Sequence, residues 1–147
     1  MQVAQGNLSA ALTSYEAKLA VAERLAKSDP GNALWQRDLS VSYEKVGDAQ
    51  MAQSDLAAAL TSYQASLDIR ERLAKSDASN VSWRHDLSVS YAKLAEAYGR
   101  AKQPSKAREA LTAGRAIIAR LVEQFPDWSR WKQDLSWFDT QIATLEN

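Results

Sequence analysis

The sequence predicts an all-α protein, an α-solenoid of about six antiparallel helices arranged as three helical hairpins. The first observation behind this prediction is an internal repeat. Trp35, Trp83 and Trp131 lie 48 residues apart, and each begins the motif Trp-x-x-Asp-Leu-Ser. Residues 6–53 match residues 54–101 at 26 of the 48 aligned positions. A unit of this size cannot bury its apolar face alone, so neighbouring copies have to stack.

The second observation is the helical spacing of apolar residues within each copy. In the middle copy, successive apolar residues are three or four positions apart, which lines one face of a helix. They are Trp83, Leu87, Tyr91, Leu94 and Tyr98. The predicted helices are 8–28, 33–53, 56–76, 81–102, 104–124 and 128–146. Their connections are only a few residues long, so consecutive helices should be antiparallel neighbours.

Two sets of breaks at recurring positions define these helices. One set falls at residues 28–32, 76–80 and 125–127, and the other at 6–7, 54–55 and 103–105. In the first set, Asn32 and Asn80 are placed to cap the helix that follows. In the second set, Pro104 is acceptable because it falls in a first helical turn. The repeat units are therefore 6–53, 54–101 and 102–147, in a single domain spanning residues 1–147.

Composition argues against several classes of function. Eighteen basic and eighteen acidic residues cancel, so the surplus of positive charge that nucleic-acid binding needs is missing. No apolar run approaches the roughly 20 residues that span a bilayer, and the first residues lack signal-peptide features. The absence of cysteine excludes disulfides and thiolate metal sites. We expect a cytoplasmic protein without membrane or nucleic-acid partners.

Residues 3–7 align with residues 51–55, the last turn of a helix and the break that follows it. We therefore expect the chain to be part of a longer array. Its N-terminal repeat face should then expose apolar surface, which would favour homo-oligomerisation.

Several residues resemble the tetratricopeptide repeat. They are Val46-Gly47, Ser54-Asp55, Ala59-Leu60 and Tyr63. Residues 59–73 are also similar to the long-helix repeats of kinesin light chains. The usual tetratricopeptide unit has about 34 residues, and one added heptad in each helix would lengthen it while keeping the apolar register. Ala78 and Ala95 depart from the proline and glycine of the pattern.

The resemblance implies a right-handed superhelix in which the first helix of each hairpin, the one that carries the Trp motif, lines a concave groove. Such arrays bind proteins or peptides there. The candidate partner-binding residues lie on these helices outside the core and the loops. They are Arg37, Glu44, Asp48, His85, Glu96, Arg100 and Gln133. An ordinary solvated face is the alternative for each of them. Their mixed charge argues against a clamp for a strongly acidic peptide.

An aspartate and an arginine also recur once in each copy, at heights that match across an antiparallel turn. We interpret them as structural ion pairs rather than as catalytic acids, because each carboxylate has an arginine beside it. The predicted pairs are Arg24–Asp38, Arg72–Asp86 and Arg120–Asp134.

Catalytic and cofactor chemistry is not indicated. His85 is the single histidine, and a metal site needs several ligands while a catalytic base needs a partner. The five glycines are scattered and form no phosphate-binding loop. We therefore expect no enzyme activity, no metal and no cofactor.

Aromatic residues concentrate near the C-terminus, and two interpretations of them stay open. Trp128, Trp131, Trp137 and Phe138 could form a docking patch or could pack in the core of the last helix. The leading hypothesis for function is a protein-interaction scaffold. The alternatives are a structural segment that self-associates through open solenoid ends and the sensor arm of a multidomain bacterial signalling enzyme.

Overall fold

The structure is a computed structural model that describes residues 2–146, with side chains described from residue 6 onward. This part of the chain is helical throughout, with no strand, which confirms the predicted all-α class and the six helices. The helices are α1 (Gln2–Ser28), α2 (Ala33–Ala52), α3 (Leu56–Ser76), α4 (Val81–Arg100), α5 (Pro104–Gln124) and α6 (Ser129–Glu146). Five of them begin and end within two residues of the predicted bounds.

The predicted caps account for the starts of α2 and α4. The side-chain oxygen of Asn32 accepts a hydrogen bond from the backbone N–H of Trp35 at 3.1 Å, and Asn80 does the same for Trp83 at 3.0 Å. Each bond satisfies one of the backbone donors left free at a helix start. Pro104 lies in the first turn of α5, as expected.

Helix α1 differs from its prediction because it runs through the expected break at residues 6–7 and begins at Gln2. At the corresponding breaks, Ser54 and Lys102 take left-handed φ values of 62° and 60°. Such a reversal costs backbone strain, which packing between the two joined helices offsets.

Two compact units divide the chain, Met1–Leu73 and Ala74–Asn147, and the boundary falls in the last turn of α3. In the first unit α1 packs against α2, and side chains of α2 and α3 are joined by hydrogen bonds. In the second unit α5 packs against both α4 and α6. Within residues 2–146, no helix combines the length and apolar character needed to cross a lipid bilayer.

The first unit has a polar core between α2 and α3. Arg70, whose side chain is only 4% exposed, pairs with Glu44 at 3.1 Å and donates from Nε to Ser40 Oγ at 3.2 Å. Ser66 donates to the backbone carbonyl of Ser40 at 2.8 Å. Hydrogen-bonded partners are what make such buried polar groups tolerable.

Gly47 allows the ring of Tyr63 to pack directly on the backbone of α2. A Cβ atom at residue 47 would lie 2.6 Å from that ring, closer than real contacts allow. The Tyr63 hydroxyl then donates to Asp48 Oδ1 at 2.7 Å. The ring of Tyr63 is thus held by the backbone at Gly47, and its hydroxyl group is held by Asp48.

The second unit has an apolar core at the same repeat positions. Leu111, Ile118 and Leu121 of α5 are buried there, in the positions of Tyr63, Arg70 and Leu73 of α3. Gly114 admits a different ring, because a Cβ atom there would lie 2.6 Å from the Phe138 side chain of α6.

Candidate binding pocket between α4 and α6

A pocket of about 310 Å³ opens between α4 and α6, wholly within the second unit. Its lining combines an apolar wall with a charged and hydrogen-bonding end. The lining residues are His85, Ser88, Val89, Ala92, Arg130, Asp134, Trp137 and Phe138. Both helices carry the Trp motif, so the pocket lies on the helices for which the sequence predicts a groove.

Helical periodicity brings these side chains together. On α4, Ser88 and Val89 follow His85 by three and four positions, and Ala92 follows them by four and three. On α6, Arg130, Asp134 and Trp137 are four and three positions apart. Side chains at this spacing share one face of a helix. Relative to the Trp motif, only Val89 and Trp137 hold the same position, so the two helices contribute different faces to the pocket.

The polar end is organised by His85 and Asp134. Nε2 of the imidazole lies 3.3 Å from Oδ2 of the carboxylate, and both side chains are about one-third exposed or less. A protonated Nε2 would donate to the carboxylate in this arrangement. Ser88 Oγ donates to the backbone carbonyl of His85 at 2.7 Å, so the hydroxyl is engaged within its own helix. Ser88 does not complete a nucleophile–base pair with the imidazole.

The apolar end is formed by two aromatic rings with different roles. Phe138 is buried against Gly114 and serves as a fixed floor. Trp137 meets it in an edge-to-face contact with ring centroids 5.0 Å apart, and 42% of Trp137 stays exposed. The pocket therefore offers an open indole on a rigid base.

The aromatic residues of α6 and the turn before it divide between the two interpretations left open by the sequence. Trp131 is buried, with Phe125 at 5.4 Å and Trp128 stacked on it at 4.8 Å. Phe138 is likewise core. Trp128 and Trp137 are the exposed members, and Trp137 alone of this pair lines the pocket.

The structure gives two of the candidate groove residues a packing role. Glu44 is 14% exposed and holds the buried Arg70, while Asp48 accepts from the Tyr63 hydroxyl. Their variation between copies therefore follows their packing partners on α3 rather than freedom to face solvent. The change from Glu44 to Ala92 accompanies the change from Arg70 to Ile118.

The other candidate residues fall into three environments. His85 lines the pocket. Arg37 is half-buried in the first unit. Glu96, Arg100 and Gln133 are exposed in the second unit. Arg130 is a pocket residue that the sequence interpretation missed, although its spacing from Asp134 could have indicated it, whereas Trp137 was among the aromatic residues named for a possible docking patch.

The predicted ion pairs are not formed where both partners lie within one unit. Among the described residues, the ion pairs include neither Arg24 with Asp38 nor Arg120 with Asp134. Asp134 contacts His85 instead, and Arg120 lines an exposed cleft with Arg84. The residue numbers predicted that the two members of each pair lie at the same level along adjacent helices. Arg24, Asp38 and Arg120 nevertheless face solvent.

The third predicted pair, Arg72 with Asp86, joins residues of different units and stays a prediction. Two pairs that the sequence did not predict link α5 to α6. They are Arg108–Glu146 and Arg115–Asp139, with all four side chains about half exposed. Exposed pairs of this kind contribute at most about 1 kcal/mol each.

Comparison with known proteins does not assign the chain to a family. No protein-family model matches the chain, and no curated protein matches it either. Within residues 2–146, no three His, Asp or Glu side chains converge in a way that could hold a metal ion.

Proposed function

We propose that this chain is a non-catalytic protein-interaction module whose pocket between α4 and α6 receives an apolar side chain of a partner peptide. The proposal includes the arrangement that the tetratricopeptide resemblance implies, an α-solenoid with a right-handed superhelix and a groove lined by the first helix of each hairpin. A cytoplasmic location is part of the same proposal.

The observation that carries the proposal is the open indole of Trp137 above the buried ring of Phe138. Ligand pockets of about 300–1,000 Å³ are lined mainly by apolar and aromatic groups, with a few polar groups that fix orientation. Val89, Ala92 and Trp137 supply the apolar lining here. Binding would cover the exposed part of the indole without rearranging the floor, because Phe138 is already packed on Gly114.

The polar end of the pocket gives the partner an orientation. Arg130 can donate to a carbonyl or carboxylate beside the apolar anchor, and the pairing of His85 with Asp134 limits the polar groups that fit there. We therefore expect peptides with one large apolar residue next to a hydrogen-bond acceptor. A uniformly acidic peptide fits poorly, because Asp134 lies in the same pocket.

Selection of a random peptide library on the immobilised chain tests this proposal. Peptides that bind saturably should share an apolar anchor, and Trp137→Ala should weaken their binding by at least about tenfold, the loss expected for a central aromatic contact. Trp128→Ala is the matched control, because it removes an indole that is 58% exposed in the same unit but lies outside the pocket.

Equal binding to the wild type and to Trp137→Ala would refute the pocket as the binding site. Loss in both tryptophan variants would indicate a general effect on the second unit, so circular dichroism of each variant should accompany the binding data. His85→Ala should alter which peptides are selected while leaving the apolar anchor in place.

A further inference from the structure

We infer that α1 carries a docking face for α6 of a second copy of this chain, so that copies associate head to tail. This surface is distinct from the pocket of the proposed function. The evidence is a difference between helices that occupy the same position in the repeat.

Helix α1 exposes a stripe that is covered in its counterparts. Its members follow the spacing of a single helix face. They are Ser14, Lys18, Val21 and Leu25, of which Val21 is 47% exposed and Leu25 is 41% exposed. In α5 the residue in the position of Leu25 is Leu121, which is fully buried. Helix α5 packs against the helix before it, α4, and the helix after it, α6. Helix α1 packs against the helix after it, α2.

Helix α6 exposes the complementary stripe. Ser136 and Ala143 are exposed, whereas Ser88 and Ala95, which hold the same positions in α4, are buried. Helix α4 is the element that packs on α5 from the preceding side. The repeat therefore specifies the occupant of the α1 stripe as a helix of the α4 type, and α6 is such a helix with this face open.

The register of that contact follows from the second unit. A Cβ atom on Gly114 would lie 3.2 Å from Cβ of Tyr91. Lys18 occupies the repeat position of Gly114, and Asp139 occupies that of Tyr91. Docking in the same register thus places Lys18 of one copy beside Asp139 of the next. The charges are opposite and both residues are exposed in the free chain, where Asp139 also forms an ion pair with Arg115 of its own copy.

One position makes the contact looser than its internal counterpart. Tyr15 would face Ala143, whereas Tyr63 faces Gly47, where a Cβ atom would overlap the ring. A slightly wider helix spacing is needed to accommodate the alanine. We therefore expect weak, concentration-dependent association. Because the two faces differ, the contact is heterologous, and every copy carries one face of each kind.

Sedimentation velocity of the 147-residue chain tests the inference. The wild type should sediment faster as its concentration is raised from about 5 to 500 μM, the range in which a weak contact is populated. Leu25→Arg disables the α1 face and Ala143→Arg disables the α6 face. Each variant alone should remain a 16.2 kDa monomer. An equal mixture should form a dimer and no larger species, because it contains one intact pair of faces.

Charge reversal tests the register. Lys18→Glu should weaken wild-type association by about tenfold, because it sets two carboxylates side by side. Lys27→Glu is the matched control, with the same substitution on an exposed part of α1 outside the stripe. A wild type that is monomeric at 500 μM, or an Ala143→Arg chain that still self-associates, would overturn the inference. Equal effects of the two lysine variants would overturn the register.

Discussion

The two compact units use the same repeat to build different cores. In the first unit, Arg70, Glu44 and Ser40 form a hydrogen-bonded network between α2 and α3. In the second unit, Ile118 stands at the position of Arg70 and Ala92 at the position of Glu44. The serine is kept, as Ser88. The serine keeps its bond to the backbone carbonyl three residues earlier in both units, at 2.7 Å. The hydrogen bond of this serine within its own helix is therefore preserved, while the two residues across the helix contact change together.

The comparison teaches that positions in the repeat are specified in pairs. An ion pair can be exchanged for apolar residues of suitable volume with little change in stability, whereas removing one member leaves a buried charge unpaired. Gly47 and Tyr63 of the first unit likewise correspond to Ala95 and Leu111 of the second. Alanine adds a methyl group to one helix, and leucine, which is smaller than tyrosine, leaves room for it on the other. Single substitutions should therefore be costly, and paired substitutions should be tolerated.

The largest expected effect comes from breaking the polar core of the first unit. Arg70→Ala should lower the free energy of unfolding by about 3 kcal/mol, because Glu44 is then left largely buried without its guanidinium partner. Urea unfolding followed by circular dichroism measures the change. Arg24→Ala is the control, since that arginine is exposed and its loss should cost at most about 0.5 kcal/mol.

The paired exchange sharpens this test. Combining Arg70→Ile with Glu44→Ala installs the residues of the second unit and should recover most of the lost stability. A double variant as unstable as Arg70→Ala would show that the two units do not share interchangeable solutions.

A smaller effect is expected at the aromatic contact of the first unit. Gly47→Ala should cost about 1–2 kcal/mol, because overlap with the Tyr63 ring outweighs the gain in helix propensity. Adding Tyr63→Leu should relieve the overlap and restore part of the stability, as judged by thermal unfolding. Ala95→Gly in the second unit is the reverse control and should cost at least about 1 kcal/mol, through lower helix propensity and the loss of a buried methyl group. Stabilisation by Gly47→Ala would show that the ring moves aside without cost.

The smallest effect is a pH dependence confined to the first unit. Tyr43 donates to Glu23 Oε1 at 2.9 Å, and burial, followed by the hydrogen bond and the charge of Glu23, raises the pKa of Tyr43 above its usual 10.0. The folded chain thus holds this proton more tightly than the unfolded chain. Its contribution is complete below about pH 10, the unfolded pKa, and is lost as the pH rises through the folded pKa.

Tyr43→Phe should remove this dependence, so the wild type should lose stability more steeply than the variant between pH 9.5 and about 11.5, around the tyrosine pKa. Urea midpoints at several pH values measure the difference. Parallel curves for the two proteins would contradict it. Tyr15→Phe, on the same unit's α1, controls for the loss of a phenol as such.

Local signals made most of the fold predictable. Asn32 and Asn80 cap helices through their own side chains, so the sequence alone marks those starts. The break at Gly6 was predicted wrongly because a left-handed residue such as Ser54 needs tertiary packing to hold it, and composition does not report that packing. The spacing of His85, Val89 and Ala92 was likewise sufficient to indicate a helix face.

Contacts between helices were predicted less well, for a geometric reason. Residue numbers across a turn give height along the helices but not the direction in which a side chain points, so Asp38 and Arg24 were matched although both face solvent. Arg70 was overlooked because it occupies a position that is Ile118 in the next copy. The joint change of Arg70 and Glu44 between copies was the available signal. The depth of the Trp137 pocket depends on how Phe138 rests on Gly114, which spacing cannot show.

The matched change from Gly47 with Tyr63 to Ala95 with Leu111 also bears on how such a gene can be inherited. Tandemly duplicated DNA can undergo unequal crossing-over, which deletes or adds whole repeat units. An exchange between the codons of these two positions would join the glycine to leucine, leaving a void, or the alanine to tyrosine, forcing a clash. We therefore expect such recombinants to be less stable than the parent chain, which would favour keeping the copies as they are.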